Sequence, residues 1–162
     1  MTNSNARAEA DFMRLAIEQS AQALEAGNMP FGAALVRDGA LLLLAQNNQV
    51  TERDPMGHAE VVLLRNACTN GGPGFARGAT VYASGEPCAM CTGAMFWAGV
   101  QRVVFAATQA DIIAALGGPA LPIRAAEVLA SATPALVVDG GVQRAAAVDV
   151  LERFARRARG AS

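Results

Sequence analysis

Two short motifs contain the residues of this chain whose types and spacing suit chemistry. The first is His58-x-Glu60, and the second is Cys88-x-x-Cys91. His58 is the single histidine among 162 residues, and the chain has only three cysteines. One imidazole and two thiolates are ligand types that zinc prefers. We therefore predict that His58, Cys88 and Cys91 bind one zinc ion.

The number of candidate ligands favours a catalytic over a structural zinc site. A structural site uses four protein ligands, whereas a catalytic site uses three and leaves the fourth position to water. The remaining cysteine, Cys68, is expected to be a small buried hydrophobic residue. Both motifs also fall at predicted helix N-termini, where the partial positive charge lowers the pKa of a thiol. Cys88 and Cys91 should therefore deprotonate and bind metal readily.

Glu60 is the candidate for moving protons at this site. A single carboxylate beside an open metal position can accept a proton from water and later return it. However, on a regular helix the side chains of residues i and i+2 are separated by about 200° around the axis. His58 and Glu60 would therefore not share a helix face, and they converge only if the metal lies off the end of the helix.

Two other functions are compatible with parts of this pattern. A Cys-x-x-Cys pair alone also occurs in thioredoxin-like redox proteins, but a redox pair gives no role to His58 or Glu60. A zinc-stabilised binding module without turnover is the second alternative. An open coordination position and the nearby Glu60 favour an enzyme over such a module.

Taken together, the two motifs resemble the signature of the cytidine deaminase superfamily. The resemblance runs from Pro30 to about Ala107, roughly half of the chain, and its matching segments are Pro30–Gly39, Asn47-Asn48, Asp54–Glu60, Ser84–Cys91 and Gly93–Ala98. Within the superfamily the chain looks most like the bacterial guanine deaminases, followed by the tRNA adenosine deaminases. The resemblance implies a zinc-dependent hydrolytic deaminase with Glu60 as catalytic residue. It also implies a three-layer α/β/α sandwich around a mixed five-stranded sheet.

The same resemblance implies three substrate-binding residues. Asn47 corresponds to the residue that hydrogen-bonds the base, and an amide can donate and accept at once. Phe31 and Trp97 correspond to pocket walls that could stack on a flat ring. The alternatives are that Asn47 is a turn residue after a strand and that Trp97 packs in the core.

The second half of the chain departs from the guanine deaminases. Where they carry an acidic segment, this chain has residues 115–119, Ala-Leu-Gly-Gly-Pro. Their tail also supplies a second catalytic carboxylate, for which Asp139 and Glu152 are the candidates here. The resemblance favours guanine as substrate, whereas this departure is compatible with cytosine or an amino-triazine as the alternative.

Hydrophobic patterning predicts alternating helices and strands. The predicted helices cover residues 8–25, 54–68, 88–98, 111–116 and 143–159, and the strands cover 31–36, 40–46, 80–84, 102–107 and 135–138. Asp54 and Pro55 are typical of the cap and first position of a helix. The alternation predicts a layered α/β sandwich around a mixed sheet. We expect a single domain over residues 1–162, with a core at 8–116 and a divergent part at 117–162.

Composition and charge limit the partners. Half of the residues are hydrophobic (52%) and 17% are charged, which is typical of a globular protein. The apolar runs are too short to span a bilayer, and the N-terminus lacks an apolar signal core, so we expect a cytoplasmic protein without membrane contact. The net charge is −1 and all 13 basic residues are arginine. This favours a small heterocycle over nucleic acid as partner, and the resemblance implies a homodimer.

Overall fold

A mixed five-stranded sheet organises the chain, as the sequence predicted. The computed structural model describes residues 2–161, so Met1 and Ser162, the ends of the expected domain, lie outside the described residues. The strands are β1 (Gly32–Arg37), β2 (Ala40–Gln46), β3 (Thr80–Gly85), β4 (Arg102–Ala107) and β5 (Val137–Gly140). The helices are α1 (Thr2–Glu25), α2 (Ala59–Gly71), α3 (Ala89–Trp97), α4 (Gln109–Leu116), α5 (Ala125–Val128) and α6 (Arg144–Gly160).

The strand order is β2-β1-β3-β4-β5. β1 runs antiparallel to both β2 and β3, whereas β3, β4 and β5 run parallel. The β1–β2 hairpin turns at Asp38 and Gly39, whose φ angles of 52° and 74° are those of a two-residue Asp-Gly hairpin turn. Because β3 and β4 are parallel, the chain leaves both at the same edge of the sheet. Cys88 follows β3 at that edge.

Helices cover both faces of the sheet, which confirms the three-layer prediction. Successive strand residues point to opposite faces, so Ala34 packs with α1 and α6 while Leu35 packs with α2 and α3. The core under α1 and α6 includes Met13, Val104 and Leu151. The core under α2 and α3 includes Leu63, Val81 and Met95. The ligand motifs therefore belong to the face covered by α2 and α3.

The predicted start of the second helix at Asp54 is wrong. The helix begins at Ala59, and Asp54 stabilises a turn that precedes it. The Asp54 carboxylate accepts hydrogen bonds from the Met56 backbone N–H (2.9 Å) and from the Arg65 guanidinium (2.9 Å). These bonds satisfy the carboxylate within the turn and against the side of α2, so the capping signal at Asp54 indicated a turn and not the first residue of the helix.

The divergent part of the chain adds to the same sheet. β5 begins at Val137, two residues later than predicted, and pairs in parallel with β4. α6 packs on α1 and α4, and α5 was not predicted. Arg102 of β4 connects the core and the divergent part, because its guanidinium donates hydrogen bonds to Glu9 of α1 and to Asp139 of β5. Among residues 2–161, no helix has the length and apolarity needed to cross a bilayer.

Candidate metal centre and active site

The three predicted ligands lie at the first residues of two helices. His58 is the N-cap of α2, Cys88 is the N-cap of α3, and Cys91 lies within the first turn of α3. His58 has extended backbone angles (φ −65°, ψ 145°), so it precedes the helix on which Glu60 lies. The separation of about 200° on a regular helix therefore does not apply. His58 and Glu60 can both face Cys91.

The ligand atoms have the spacing that a tetrahedral zinc ion requires. Cys88 Sγ and Cys91 Sγ are 3.6 Å apart, and His58 Nδ1 lies 3.6 Å from Cys88 Sγ and 3.5 Å from Cys91 Sγ. A tetrahedral ion with Zn–S bonds of about 2.3 Å and a Zn–N bond of about 2.0 Å separates its ligand atoms by about 3.5–3.8 Å. The donor set and its geometry therefore fit zinc. Among the described residues, these three form the group that could hold a metal ion.

Glu60 lies beside the ligands in a buried position. Its Oε2 is 3.5 Å from Cys91 Sγ, and the residue is only 6% exposed. Burial raises the pKa of the Glu60 carboxyl above its usual range, since a low-polarity environment disfavours the charged form. A carboxyl with a raised pKa holds a proton more strongly than one in water. This suits a group that must accept a proton and then release it.

The two thiols differ in proton affinity. The hydrogen bond from the Cys91 thiol, followed by the bond to His58, lowers the pKa of Cys88 to about 4. The same contact with Cys88, together with burial, raises the pKa of Cys91. The hydrogen bond to Cys88 also raises the pKa of His58. Cys88 therefore carries the first thiolate, and a dication would complete the deprotonation of the set.

Asn47 lies on a segment joined to the ligand region. Its backbone N–H donates to the carbonyl of Phe31 (2.9 Å), and the next residue, Asn48, donates to the carbonyl of Gly57 (3.0 Å). The Asn47 side chain is 1% exposed and is hydrogen-bonded by Gln49. The structure thus places Asn47 and Phe31 at the end of the sheet where His58 lies.

Phe31 and Trp97 occupy different places. The Phe31 ring is half-buried against Gly85, the last residue of β3, close to the Cys88 turn. Trp97 is the last residue of α3, about 13 Å along the helix axis from Cys88, and is 85% exposed. Trp97 therefore does not pack in the core of this chain. Within one chain, the structure brings Phe31 but not Trp97 to the ligand region.

The two candidate tail carboxylates lie on the other side of the sheet. Asp139 accepts a hydrogen bond from Arg102 (2.7 Å) in the network that includes Glu9 of α1. Glu152 is exposed on α6 and lies 3.7 Å from Arg156. The layer containing α1 and α6 is separated by the sheet from the layer containing α2 and α3. Neither carboxylate reaches the zinc ligands within one chain.

Sequence reasoning missed one buried charge next to the ligands. Glu86 is 7% exposed, and its carboxylate accepts from the Gln109 backbone N–H (2.9 Å) and from Arg124 Nε (3.3 Å). Glu86 therefore connects the turn before Cys88 to Gln109 at the start of α4 and to Arg124 in the divergent part. In the sequence, a charged residue directly between a predicted buried strand and the Cys88 motif could have indicated this buried carboxylate, because a buried charge needs hydrogen-bond partners.

The three-ligand group, placed at the first residues of two helices beside a mixed five-stranded sheet, defines a zinc-binding α/β domain. Residues 6–107 match the family described as the cytidine and deoxycytidylate deaminase zinc-binding region. This match covers more than half of the chain, and the chain belongs to that family. The suspected resemblance is thereby confirmed.

The chain is similar to deaminases with different substrates. It is 41% identical over 101 residues to a guanine deaminase of Bacillus subtilis (strain 168), which covers 62% of this chain and 65% of that protein. It is 40% identical over 96 residues to the tRNA-specific adenosine deaminase of the same organism, covering 59% of this chain and 60% of that protein. Both matches span less than two thirds of the relative's length.

The similarity in fold covers more of the chain than the similarity in sequence does. A solved structure of a guanine deaminase from Nitrosomonas europaea superimposes with a TM-score of 0.75 at 25% identity, covering 91% of this chain and 84% of that chain. The superposition therefore includes most of the divergent part, where sequence similarity is weak.

Proposed function

We propose that this protein is a hydrolytic deaminase of a free nucleobase, with guanine as the favoured substrate. The observation that carries the proposal is the buried Glu60 carboxylate, 3.5 Å from Cys91 Sγ beside the three zinc ligands. The guanine deaminases among the similar proteins and the Asn47-Asn48 pair support guanine. Cytosine or an amino-triazine is the alternative within the same chemistry.

His58, Cys88 and Cys91 would hold the zinc ion, which when bound lowers the pKa of a water molecule towards neutrality. Glu60 accepts the proton of the attacking water. The water oxygen forms a bond to the ring carbon that bears the exocyclic amine, which is C2 in guanine, and the electron pair of the C2–N3 double bond moves to N3. Glu60 then donates its proton to the amine nitrogen, and the C–N bond breaks with its electron pair going to nitrogen. The electron pair on N3 re-forms the ring double bond as ammonia leaves, and the remaining hydroxyl tautomer transfers its proton to N3.

Asn47, Phe31 and Trp97 are the proposed substrate-binding residues. Asn47 would hydrogen-bond the edge of the base, and the Phe31 ring would stack on its face. Trp97 lies at the far end of α3 from Cys88, so it can line a pocket only beside a second copy of the chain. We therefore also propose a homodimer, in which the exposed Trp97 is covered. Sedimentation equilibrium at micromolar concentration tests this, and a monomer would contradict it.

A tRNA adenosine deaminase is the second candidate, because a tRNA-specific relative is nearly as similar as the guanine deaminase. An RNA-binding surface needs many arginines or lysines free to contact phosphates. Eight of the 13 arginines form ion pairs with carboxylates within the chain. This charge distribution supports a small-molecule substrate over RNA.

The test is ammonia release by zinc-loaded protein from guanine, cytosine, adenine, an amino-triazine, their nucleosides and a tRNA anticodon stem-loop. We expect release from guanine. We expect Glu60→Gln to retain one zinc per chain and to lower kcat by more than about 100-fold, because the proton carrier is lost. The matched control is Glu52→Gln, at an exposed position, which should leave kcat unchanged.

Each other outcome has a defined meaning. Release from the stem-loop alone would indicate RNA editing, and release from cytosine or the triazine alone would change the substrate class. No release from any compound by zinc-loaded protein would indicate the non-catalytic zinc module. Turnover by Glu60→Gln at the wild-type rate would remove Glu60 from the mechanism.

A further inference from the structure

The carboxamide of Asn47 is held at both ends by one neighbouring residue. The Gln49 backbone N–H donates to Asn47 Oδ1 (3.1 Å), and Asn47 Nδ2 donates to Gln49 Oε1 (2.8 Å). Gln49 Nε2 in turn donates to the backbone carbonyl of Pro55 (2.9 Å). Two hydrogen bonds are therefore donated in sequence from the Asn47 amide through the Gln49 amide to the turn before His58, and a third is donated back from the Gln49 N–H to Asn47.

This chain of bonds has a fixed polarity. A backbone N–H can only donate and a backbone carbonyl can only accept. The oxygen of Asn47 must therefore face the N–H of Gln49, and the nitrogen of the Gln49 amide must face Pro55. Turning either amide over would place donor against donor or acceptor against acceptor. Asn47 is left with one N–H and one oxygen lone pair, in a fixed order, for a ligand.

The segment that carries Gln49 is itself anchored. Asn28, which is 1% exposed, accepts hydrogen bonds at Oδ1 from the backbone N–H groups of Val50 (2.9 Å) and Thr51 (3.0 Å). On the other side, the Asn48 N–H donates to the Gly57 carbonyl (3.0 Å). Gln49 is half-buried between these anchors. The backbone that positions its amide is thus fixed on both sides.

We propose that Gln49 is a positioning residue that fixes the orientation of the Asn47 carboxamide and so determines which heterocycle edge the site accepts. This inference rests on the proposed role of Asn47 in binding the base. An amide in one orientation pairs with a lactam edge, which offers a carbonyl next to an N–H. An amidine edge, which offers an amine next to a bare ring nitrogen, has the reverse order and would leave two mismatched contacts.

Guanine and 2,6-diaminopurine form the matched pair of probes. Both carry the amine at C2, but guanine has a lactam at positions 1 and 6 where diaminopurine has an amidine. The zinc-loaded protein should bind guanine more tightly, by about tenfold or more, because each mismatched contact loses a hydrogen bond. Equilibrium binding is measured by calorimetry in the Glu60→Gln background, so that neither purine is consumed.

Gln49→Met keeps the side-chain length and removes both side-chain amide bonds, so that only the backbone N–H of residue 49 still opposes turning over of the Asn47 amide. We expect the preference for guanine to fall by about threefold or more, with KM for guanine raised and kcat changed less than about threefold. Asn47→Ala should abolish the preference, and adding Gln49→Met to it should have no further effect. The matched control is Gln22→Met, at an exposed position on α1, which should retain the full preference.

The outcomes separate this inference from the proposed function. The inference is overturned if the Glu60→Gln protein shows no preference between the purines, or if it keeps the full preference after Gln49→Met is added. Equal effects of Gln49→Met with and without the Asn47 side chain also overturn it. A preference in binding that depends on Gln49, without ammonia release by the wild type, supports the inference and contradicts the proposed function.

Discussion

Gly85 lies where a single methyl group would disturb the proposed pocket. A Cβ at this position would lie 2.9 Å from Ile112 Cδ1 and 3.0 Å from Phe31 Cε1. In Gly85→Ala the flexible end of Ile112 can move aside, whereas the Phe31 ring must shift by a few tenths of an ångström. We expect KM to rise several-fold and the free energy of unfolding to fall by about 1 kcal/mol, as measured by steady-state kinetics and urea unfolding.

The control for this change is Gly93→Ala in α3. Nothing lies within 4 Å of a Cβ at Gly93, and alanine in a helix should add about 0.5–1 kcal/mol to the free energy of unfolding. KM should be unchanged in this variant. If Gly85→Ala also leaves KM unchanged, Phe31 does not contact the substrate.

At the scale of residues, the zinc ligands could be predicted because their types alone restrict the choice. One histidine and one close cysteine pair leave few alternatives for a metal site in this chain. The geometry of His58 and Glu60 could not be predicted, because it depends on the helix starting at Ala59. The bonds between Asn47 and Gln49 could not be predicted either, since they depend on a turn that packs against Asn28.

At the scale of elements, α4 begins with a capping box that the sequence analysis overlooked. The helix was expected to begin at Asp111 but begins at Gln109, because the Thr108 hydroxyl and the Asp111 carboxylate cap it reciprocally. The strands were predicted within one or two residues, since their apolar residues and the Asp-Gly turn are local signals. Helix starts were less predictable, because Asp54 and Thr108 both look like caps and only Thr108 is one.

Asp111→Asn tests the electrostatic part of this cap. Hydrogen bonds from the Arg144 guanidinium, followed by those from Thr108, lower the pKa of Asp111 below its usual range. The folded state thus favours the carboxylate, and its contribution is complete above the ordinary pKa of about 4 and is lost as the pH falls below that value. At pH 7 the substitution should lower the free energy of unfolding by about 1 kcal/mol.

The difference between wild type and Asp111→Asn should shrink as the pH is lowered below about 4. Urea unfolding at a series of pH values measures it. Asp149→Asn, at an exposed position on α6, should change stability by less than about 0.5 kcal/mol at every pH. A difference for Asp111→Asn that stays constant with pH would show that its charge does not stabilise α4.

At the scale of the whole molecule, the divergent part could not be placed from the sequence because long-range contacts hold it. Arg102 and Asp139 are 37 residues apart, and the bond between them aligns β5 with β4. Arg124 similarly reaches back to Glu86, 38 residues earlier, beside the zinc ligands. Such pairs leave no local pattern in the sequence. They explain why residues 117–161 join the fold although they depart from the family motif.

The zinc ligands also connect distant parts of the molecule, because His58 begins α2 and Cys88 begins α3. A ligand that binds only the folded state stabilises it by about 4 kcal/mol at 1,000 times its dissociation constant. For a chain of this size, we expect chelation to lower Tm by more than about 5 °C. The cores under α1 and α6 do not contain a ligand residue, so the chelated protein should remain folded at 25 °C.

Thermal unfolding followed by circular dichroism, with and without a chelator, measures this effect, and added zinc should restore Tm. Cys88→Ser removes a ligand and should lose the response to the chelator. Cys68→Ser changes a half-buried cysteine outside the ligand group and should respond as the wild type does. A full chelator response in Cys88→Ser would mean that the stabilising metal binds elsewhere. Loss of the response in Cys88→Ser but not in Cys68→Ser would tie the stability of the fold to the ligand group that supports the chemistry.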